Sequence, residues 1–153
     1  SLELFVDVDP ATPALLEMDA ARVRQVLFNL LANAIRYTTH GGVRVRLTAQ
    51  PSDAASVRLN FTVADTGAGM SRSQLALVFG RERLCAEGEG PGLGLAISMR
   101  LIRLMGGKLS AKSELGEGSV FSFSLDTPIA TARATKSSRF RINMLPASKS
   151  LRV

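Results

Sequence analysis

The sequence has 153 residues, of which 46% are hydrophobic and 21% are charged, a composition that fits one globular domain with a sizeable core. The net charge of +6 is uneven, because residues 1–125 carry 13 Lys and Arg against 12 Asp and Glu whereas residues 126–153 carry 6 against 1. No apolar run reaches the roughly 18–20 residues of a membrane span, and the single cysteine excludes an internal disulfide framework. A nucleic-acid partner is not expected, since the folded part has no basic excess and few aromatic residues.

The first half of the chain predicts a strand, a helix and a pair of strands. Residues 2–9, "LELFVDVD", alternate as a strand does, directly from the first residue, so we expect a fragment of a longer protein. A helix is predicted after Asp19, a plausible N-cap, because apolar residues recur every three or four positions as far as Ala34. The segments "VRVRLTAQ" and "VRLNFTVAD" alternate on either side of "PSDAAS" and predict an antiparallel pair.

The second half predicts two helices and two strands. A short helix at about 71–79 follows "DTGAGM", and residues 80–91 are polar, Gly-rich and aperiodic, which predicts a mobile loop. A helix over "LGLAISMRLIRLM" closes at Gly106 and Gly107, and the last two strands flank a "LGEG" turn. Since helices alternate with strands while hairpins occur at the middle and the end, the predicted fold is α/β: a two-layer α/β sandwich, with a mixed sheet and helices on one face.

Two asparagines four residues apart, within "NLLANAIRYT" (29–38), are unusual inside a helix, where the short amide competes for backbone hydrogen bonds. At 100° per residue, Asn29, Asn33 and Arg36 lie on one stripe beside the apolar face. An amide oxygen is a suitable ligand for Mg²⁺, and an arginine can neutralise phosphate oxygens. Taken alone, such a stripe is more often the exposed polar face of an amphipathic helix.

Three glycine-containing motifs accompany this stripe. "DTGAGM" (65–70) places a carboxylate at a strand end, and Asp65 could accept a hydrogen bond from an exocyclic amine such as that of adenine. "GPGLGL" (90–95) opens a helix, where free N–H groups favour phosphate; no Gly-Lys-Ser/Thr follows it, so it is not a Walker motif. "GEGSVF" (116–121) alone is an ordinary hairpin turn. In this order and spacing, the motifs together indicate a nucleotide site.

These motifs resemble the N, G1, G2 and G3 boxes of the catalytic, ATP-binding domain of sensor histidine kinases, in the superfamily shared with gyrase, Hsp90 and MutL ATPases. The resemblance covers about residues 2–125 and implies a Bergerat-type fold with ATP and Mg²⁺ as cofactors. It implies catalytic roles for Asn29, Asn33 and Arg36, with Asn33 as the Mg²⁺ ligand. The residues implied to contact the nucleotide are Asn29, Asn33, Arg36, Tyr37, Asp65, Gly67, Gly69, Gly92, Leu93, Gly94, Leu95 and Ser119.

Asn29 separates two activities within this superfamily. The relatives that hydrolyse ATP carry a glutamate there, which activates water as a general base. An amide cannot take a proton at neutral pH, so the γ-phosphoryl group is expected to go to a presented nucleophile. This favours a histidine kinase over a gyrase-type ATPase.

Two departures from the family pattern leave alternatives open. The only histidine, His40, lies in the turn "TTHGG", so the acceptor histidine is expected on a separate dimerisation and histidine phosphotransfer domain. The segment "VFGRERL" keeps Phe79 but has Glu82 where a second phenylalanine is expected, which motivates a nucleotide-binding pseudokinase module as the alternative. Arg81 and Arg83 either contact phosphates or are solvated.

The predicted organisation is an ATP-binding catalytic domain over 1–125 and a basic linker or tail over 126–153. The final "SKSLRV" turns apolar as a new strand would begin, and by the resemblance to hybrid histidine kinases we expect a receiver domain to follow. A response regulator or receiver domain is the expected partner, no nucleic acid is expected, and the full-length protein is expected to be a homodimer. Its expected location is the cytoplasm, as a free protein or as the cytoplasmic part of a membrane-anchored sensor.

Overall fold

A computed structural model describes residues 1–80, 93–130, 139–141 and 149–152, the last two segments by their backbone only. The elements in chain order are β1 (Leu2–Val8), β2 (Leu15–Glu17), α1 (Ala20–Tyr37), β3 (Gly41–Pro51), β4 (Ser56–Asp65), α2 (Arg72–Gly80), α3 (Leu93–Leu104), β5 (Leu109–Glu114), β6 (Gly118–Pro128), β7 (Arg139–Arg141) and β8 (Lys149–Arg152).

The main sheet has six strands in the order β5-β6-β4-β3-β1-β8. β1 runs parallel to β3, and every other neighbouring pair in this sheet is antiparallel. β2 and β7 form a separate antiparallel pair. The mixed sheet and the hairpins predicted from the sequence are therefore confirmed.

One face of the sheet forms the core together with α1 and α3. Alternate residues of β4 are buried, and Phe61 stacks on Phe123 of β6 with ring centroids 4.7 Å apart. The buried residues that the two helices add are Val23, Val26, Leu30, Ala34, Leu95, Ala96, Met99 and Ile102, with Ser98 among them. The opposite face of β4 carries Arg58, which is exposed, and Asn60, which is half-buried. This arrangement confirms the predicted two-layer α/β sandwich.

The helices begin and end close to the predicted positions. The Asp19 side chain caps α1 by accepting a hydrogen bond from the Arg22 N–H at 3.1 Å. Gly106 follows α3 with a φ of +83°, a conformation that glycine adopts without strain. No helix in the described part of the chain is long and apolar enough to cross a membrane. The strand β2 was not predicted, because three residues are too few to show alternation.

The C-terminal segment, whose composition predicted a linker, contributes short strands to both sheets. β6 continues to Pro128, beyond the predicted domain end at residue 125, and Thr127 is buried. β7 pairs with β2, and β8 pairs with the edge of β1, where the backbone groups would otherwise lack strand partners. The strand expected in "SKSLRV" is thus present, but it pairs within this chain. The rest of the tail and residues 81–91 of the predicted loop lie outside the described residues.

Candidate functional site

Asp65 lies at the end of β4, directly opposite Ser119 at the start of β6. Its Oδ1 atom accepts a hydrogen bond of 2.9 Å from the Gly67 N–H. Burial raises the pKa of the Asp65 carboxyl, while hydrogen bonds from the Gly67 backbone, the Ser119 backbone and the Thr38 hydroxyl act in the opposite direction. The carboxylate is therefore held in a fixed orientation in a half-buried place, which suits recognition of a single donor group on a ligand.

Thr38 is a site residue that the sequence analysis did not single out. It follows α1, is 4% exposed, and its hydroxyl donates to the Ala34 carbonyl at 2.7 Å. The same hydroxyl lies beside Asp65, where it acts to lower the pKa of the carboxyl. A buried polar residue at the end of the asparagine motif was the available signal, because a buried hydroxyl requires partners.

The glycines after Asp65 allow the backbone to pack closely against neighbouring elements. A Cβ atom on Gly67 would collide with the Tyr37 carbonyl oxygen, and one on Gly69 would collide with the Glu114 carbonyl oxygen. Gly69 also has a φ of +63°, which favours glycine. These two glycines hold the "DTGAGM" turn against the end of α1 and the end of β5.

Ser113 joins the first and the last glycine motif. Its Oγ atom accepts a hydrogen bond from the Met70 N–H at 2.8 Å, donates to the Gly118 carbonyl at 3.0 Å, and lies 2.8 Å from Ser119 Oγ. Ser113 was not predicted as a site residue from the sequence. Its signal was a serine at an inward position of β5, in register with Leu109 and Ala111.

The polar stripe of α1 divides into two parts. Asn29 faces α3, and its Nδ2 atom donates to the Gly94 carbonyl at 3.0 Å and to Ser98 Oγ at 3.2 Å. Asn33 is half-buried, while Arg36 and Tyr37 are exposed at the last turn of the helix. The helix therefore places Asn29 against the start of α3, and it brings Arg36 and Tyr37 to the end that contacts the "DTGAGM" turn through the Tyr37 carbonyl.

The profile of the family described as histidine kinase-, DNA gyrase B-, and HSP90-like ATPase matches residues 18–129 of the chain. The chain belongs to this ATPase family.

The relatives within this family include named histidine kinases. Hybrid signal transduction histidine kinase B of Dictyostelium discoideum is 36% identical over 129 residues, which are 81% of this chain and 7% of that protein. The sensory/regulatory protein RpfC of Xanthomonas campestris is 39% identical over 147 residues, which are 92% of this chain and 20% of RpfC. The chain thus spans a fifth or less of the length of these two relatives.

Solved structures of histidine kinases share the fold. Full-length ShkA in complex with AMPPNP superposes with a TM-score of 0.67 at 36% identity, covering 86% of this chain and 27% of that chain. The mycobacterial sensor histidine kinase MprB superposes with a TM-score of 0.59 at 25% identity, covering 84% of each chain. The α/β fold of this chain therefore matches the ATPase domains of histidine kinases.

A cleft of about 470 Å³ lies on the other face of the sheet. That cleft borders Asp65 and Thr66, but Phe5, Gly42 and Arg44 belong to the strand face turned away from α1 and α3. The asparagines of α1 and the start of α3 do not line it. The predicted site residues of α1 and α3 therefore lie on the helix side of Asp65, apart from this cleft.

The donor set around α1 fits a metal that arrives with a nucleotide. In the described part of the chain, no group of three or more His, Cys, Asp or Glu side chains could hold a metal ion. Mg²⁺ in nucleotide sites usually keeps several waters and takes only one or two ligands from protein side chains, the rest coming from substrate phosphates. The half-buried amide oxygen of Asn33 could supply one such protein ligand. His40 is exposed beyond the end of α1.

Some predicted site residues fall outside the described segments. Gly92 of the third motif and Arg81, Glu82 and Arg83 of the altered phenylalanine motif are among them. Leu93, the first residue of α3, is half-buried, as is Phe79 in α2.

Proposed function

We propose that the chain is the ATP-binding catalytic domain of a sensor histidine kinase, which transfers the γ-phosphoryl group of Mg-ATP to a histidine on a separate dimerisation domain. The observation that carries this proposal is the half-buried Asp65 carboxylate at one end of the asparagine-bearing helix, which accepts a hydrogen bond from Gly67 and lies beside Ser119 and Thr38. The relatives named as histidine kinases and the ShkA complex with AMPPNP support the same assignment.

The adenine contacts of the proposed site centre on Asp65. An ionised carboxylate accepts a hydrogen bond from the exocyclic amine of adenine and repels the carbonyl that guanine presents at that position. We assign Tyr37, Gly67, Gly69 and Ser119 to the surroundings of the base. Ser119 is 7% exposed and bonded to Ser113, so its hydroxyl offers a fixed polar group beside the carboxylate.

The phosphate contacts are assigned to the start of α3 and the polar stripe of α1. The first four N–H groups of a helix have no acceptor within the helix, and in α3 these belong to residues 93–96. We assign the backbones of Gly92, Leu93, Gly94 and Leu95 as phosphate donors and Arg36 as the cation that approaches the terminal phosphates. Asn33 is assigned as the Mg²⁺ ligand, and the bound ion would neutralise charge on the phosphates during transfer.

The choice between transfer of the phosphoryl group to water and transfer to a protein side chain rests on Asn29, because α1 carries no general base. Asn29 stands where the hydrolysing relatives carry glutamate, and an amide cannot take a proton from water at neutral pH. The domain's contribution to transfer is therefore to position the nucleotide and to neutralise its charge. The second candidate is a nucleotide-binding pseudokinase module, which Glu82 favours because it replaces a phenylalanine of the family motif.

The wider assignments concern the protein to which this domain belongs. We propose that the catalytic domain comprises about residues 1–125 together with the end of β6, and that the basic segment up to residue 153 links it to a receiver domain. A homodimer, a response regulator or receiver partner, and a location in the cytoplasm complete the proposal. The similarity to Hybrid signal transduction histidine kinase B of Dictyostelium discoideum, a hybrid kinase, supports the receiver assignment.

The test is a phosphotransfer assay with γ-labelled ATP. The isolated chain should bind ATP and stay unlabelled, and label should appear on the native dimerisation domain when it is added. Binding without any transfer to that domain would favour the pseudokinase, and acid-labile label on His40 would contradict the assignment of a separate acceptor. Steady-state release of phosphate by the isolated chain would instead indicate a gyrase-type ATPase.

A further inference from the structure

The Asn29 side chain connects the two core helices through a closed group of hydrogen bonds. Its Nδ2 atom donates one hydrogen to the Gly94 carbonyl at 3.0 Å and the other to Ser98 Oγ at 3.2 Å. Ser98 Oγ in turn donates to the same Gly94 carbonyl at 2.8 Å. Ser98 is 0% exposed, so these bonds form in a sheltered place where a lost partner is costly.

The orientation of the Gly94 carbonyl determines the direction of a backbone donor. The peptide unit that carries this carbonyl also carries the Leu95 N–H, and its planarity makes the two bonds point in opposite directions. Leu95 lies in the first turn of α3, where N–H groups have no acceptor within the helix. Fixing the Gly94 carbonyl therefore aims the Leu95 N–H out of the start of the helix.

We propose that Asn29 is a positioning residue for the phosphates, which acts by holding the peptide plane between Gly94 and Leu95 through its two amide hydrogens. This inference rests on the proposed function. It gives a second reason for an asparagine at this position besides the absence of a base: both hydrogens of the amide are used. A carboxylate of the same size has no hydrogen to donate and would place its negative charge against the Gly94 carbonyl oxygen.

Three variants separate the hydrogen bonds from the shape of the side chain. Asn29→Asp keeps the shape and removes both donors, Asn29→Ala removes the whole amide, and Ser98→Ala removes one of the two acceptors. The matched control is Ser124→Ala, because Ser124 Oγ donates to Asn60 Oδ1 at 2.6 Å in a second serine–asparagine pair, which lies on the face of the sheet away from the helices.

The first measurement is amide hydrogen exchange in the nucleotide-free protein, which tests the hydrogen bonds without any ligand. Residues 97–99 are the first whose N–H groups bond back into α3. Their exchange should accelerate in Asn29→Asp and Asn29→Ala, less in Ser98→Ala, and not at all in Ser124→Ala. Unchanged exchange at residues 97–99 in both Asn29 variants would overturn the proposal.

The second measurement compares the affinities for Mg-ATP and adenosine by calorimetry. The affinity for Mg-ATP should fall about tenfold or more in Asn29→Asp and about threefold in Ser98→Ala. Since adenosine has no phosphates, its affinity should fall by less than about twofold in every variant. An equal loss for both ligands would show a general structural role and overturn the proposal. If Asn29→Asp does not fold, Asn29→Ala carries the same comparison.

The result distinguishes this inference from the function on which it rests. A wild-type chain that binds neither ligand contradicts the proposed nucleotide site, whatever the exchange data show. A wild-type chain that binds both, together with an Asn29→Asp variant of unchanged Mg-ATP affinity, contradicts only the positioning role.

Discussion

The two sides of the proposed site differ in how much of their structure the protein supplies by itself. The adenine side, defined by Asp65, Thr38, Ser113 and Ser119, is tied together by hydrogen bonds between strand ends and helix end. The phosphate side, defined by Asn33, Arg36 and the first turn of α3, presents half-buried and exposed side chains and free helix N–H groups. In the proposed site, the protein's own hydrogen bonds therefore fix the adenine side, whereas the metal and the nucleotide would complete the phosphate side.

This difference makes adenosine and Mg-ATP a diagnostic pair of ligands. A change on the adenine side should weaken both, because both contain the base. A change on the phosphate side should weaken only Mg-ATP.

Replacing Asp65 with asparagine should have the largest effect. A site built around one hydrogen-bonded amine discriminates strongly when that bond is not made, so adenosine and Mg-ATP should each lose at least about a hundredfold in affinity. Calorimetry provides the affinities, and circular dichroism should show an intact fold. Retention of either affinity in the folded variant would move base recognition to another residue.

Acidification should release adenosine at a higher pH than an exposed aspartate would produce. Burial raises the pKa of Asp65, and protonation removes the negative charge that strengthens the hydrogen bond from the adenine amine. The same shift means that the folded state binds this proton more tightly than the unfolded state, so Asp65 contributes stability at low pH that is lost as the pH rises through the raised pKa. Protonation of Asp65 therefore does not destabilise the fold, and acid release of adenosine is not the result of unfolding caused by this residue.

The pH experiment is a titration of adenosine affinity in the wild-type protein and in Ser124→Ala as a matched control. Both should lose adenosine over the same pH range. A profile that falls only at the pH expected for an exposed aspartate would contradict the raised pKa of Asp65.

Asn33→Ala tests the phosphate side. The variant removes the amide oxygen assigned to Mg²⁺, so the affinity for Mg-ATP should fall about tenfold, the equivalent of about 1.4 kcal/mol. Adenosine should bind as it does to the wild type. If both ligands weaken equally, Asn33 is structural and the division into two sides fails at this residue.

Thr38→Val should lower the affinities for both ligands by about fivefold, because it removes the buried hydroxyl beside Asp65 without changing the size of the side chain. The lost hydrogen bond should also raise the pKa of Asp65 further, and so move acid release of adenosine to a higher pH. Thr38→Ser restores the hydroxyl and should restore both the affinity and the pH profile. Equal behaviour of the valine and serine variants would remove Thr38 from the adenine side.

Ending the chain at Ala130 should have the smallest effect on binding. β8 lies at the edge of the sheet, beyond β3 and β1 as seen from β4, so the affinities for adenosine and Mg-ATP should both stay within about threefold, or about 0.7 kcal/mol. The midpoint of thermal denaturation should fall, because the truncated chain lacks the strand that pairs with β1. A large loss of either affinity would extend the site to the tail.

Much of the fold and the motifs of the site could be predicted from the sequence, because both depend on local patterns. The strands β3 and β4 alternate with period two, and the cap at Asp19 is a short-range feature. The pairing of β8 with β1 could not be predicted, because the two strands are far apart in the chain. In addition, the segment that contains β8 has the composition of a linker.

The connections within the site were the part that sequence patterns did not reveal. Ser113 and Ser98 each bond a motif that is distant in the sequence, and neither belongs to the motif residues that indicated a nucleotide. Their signal was only a small polar residue at a buried position. Such a residue predicts a partner but does not say which one.

The most direct test of the account is the discrimination between ATP and GTP by the wild-type chain. The two nucleotides share their phosphates and differ at the base, where in the proposed site Asp65 would accept a hydrogen bond from the adenine amine but would face a carbonyl in guanine. Calorimetry in the same concentration of Mg²⁺ should show binding of ATP and a much weaker affinity for GTP. Equal affinities would contradict the assignment of Asp65 as the residue that reads the base.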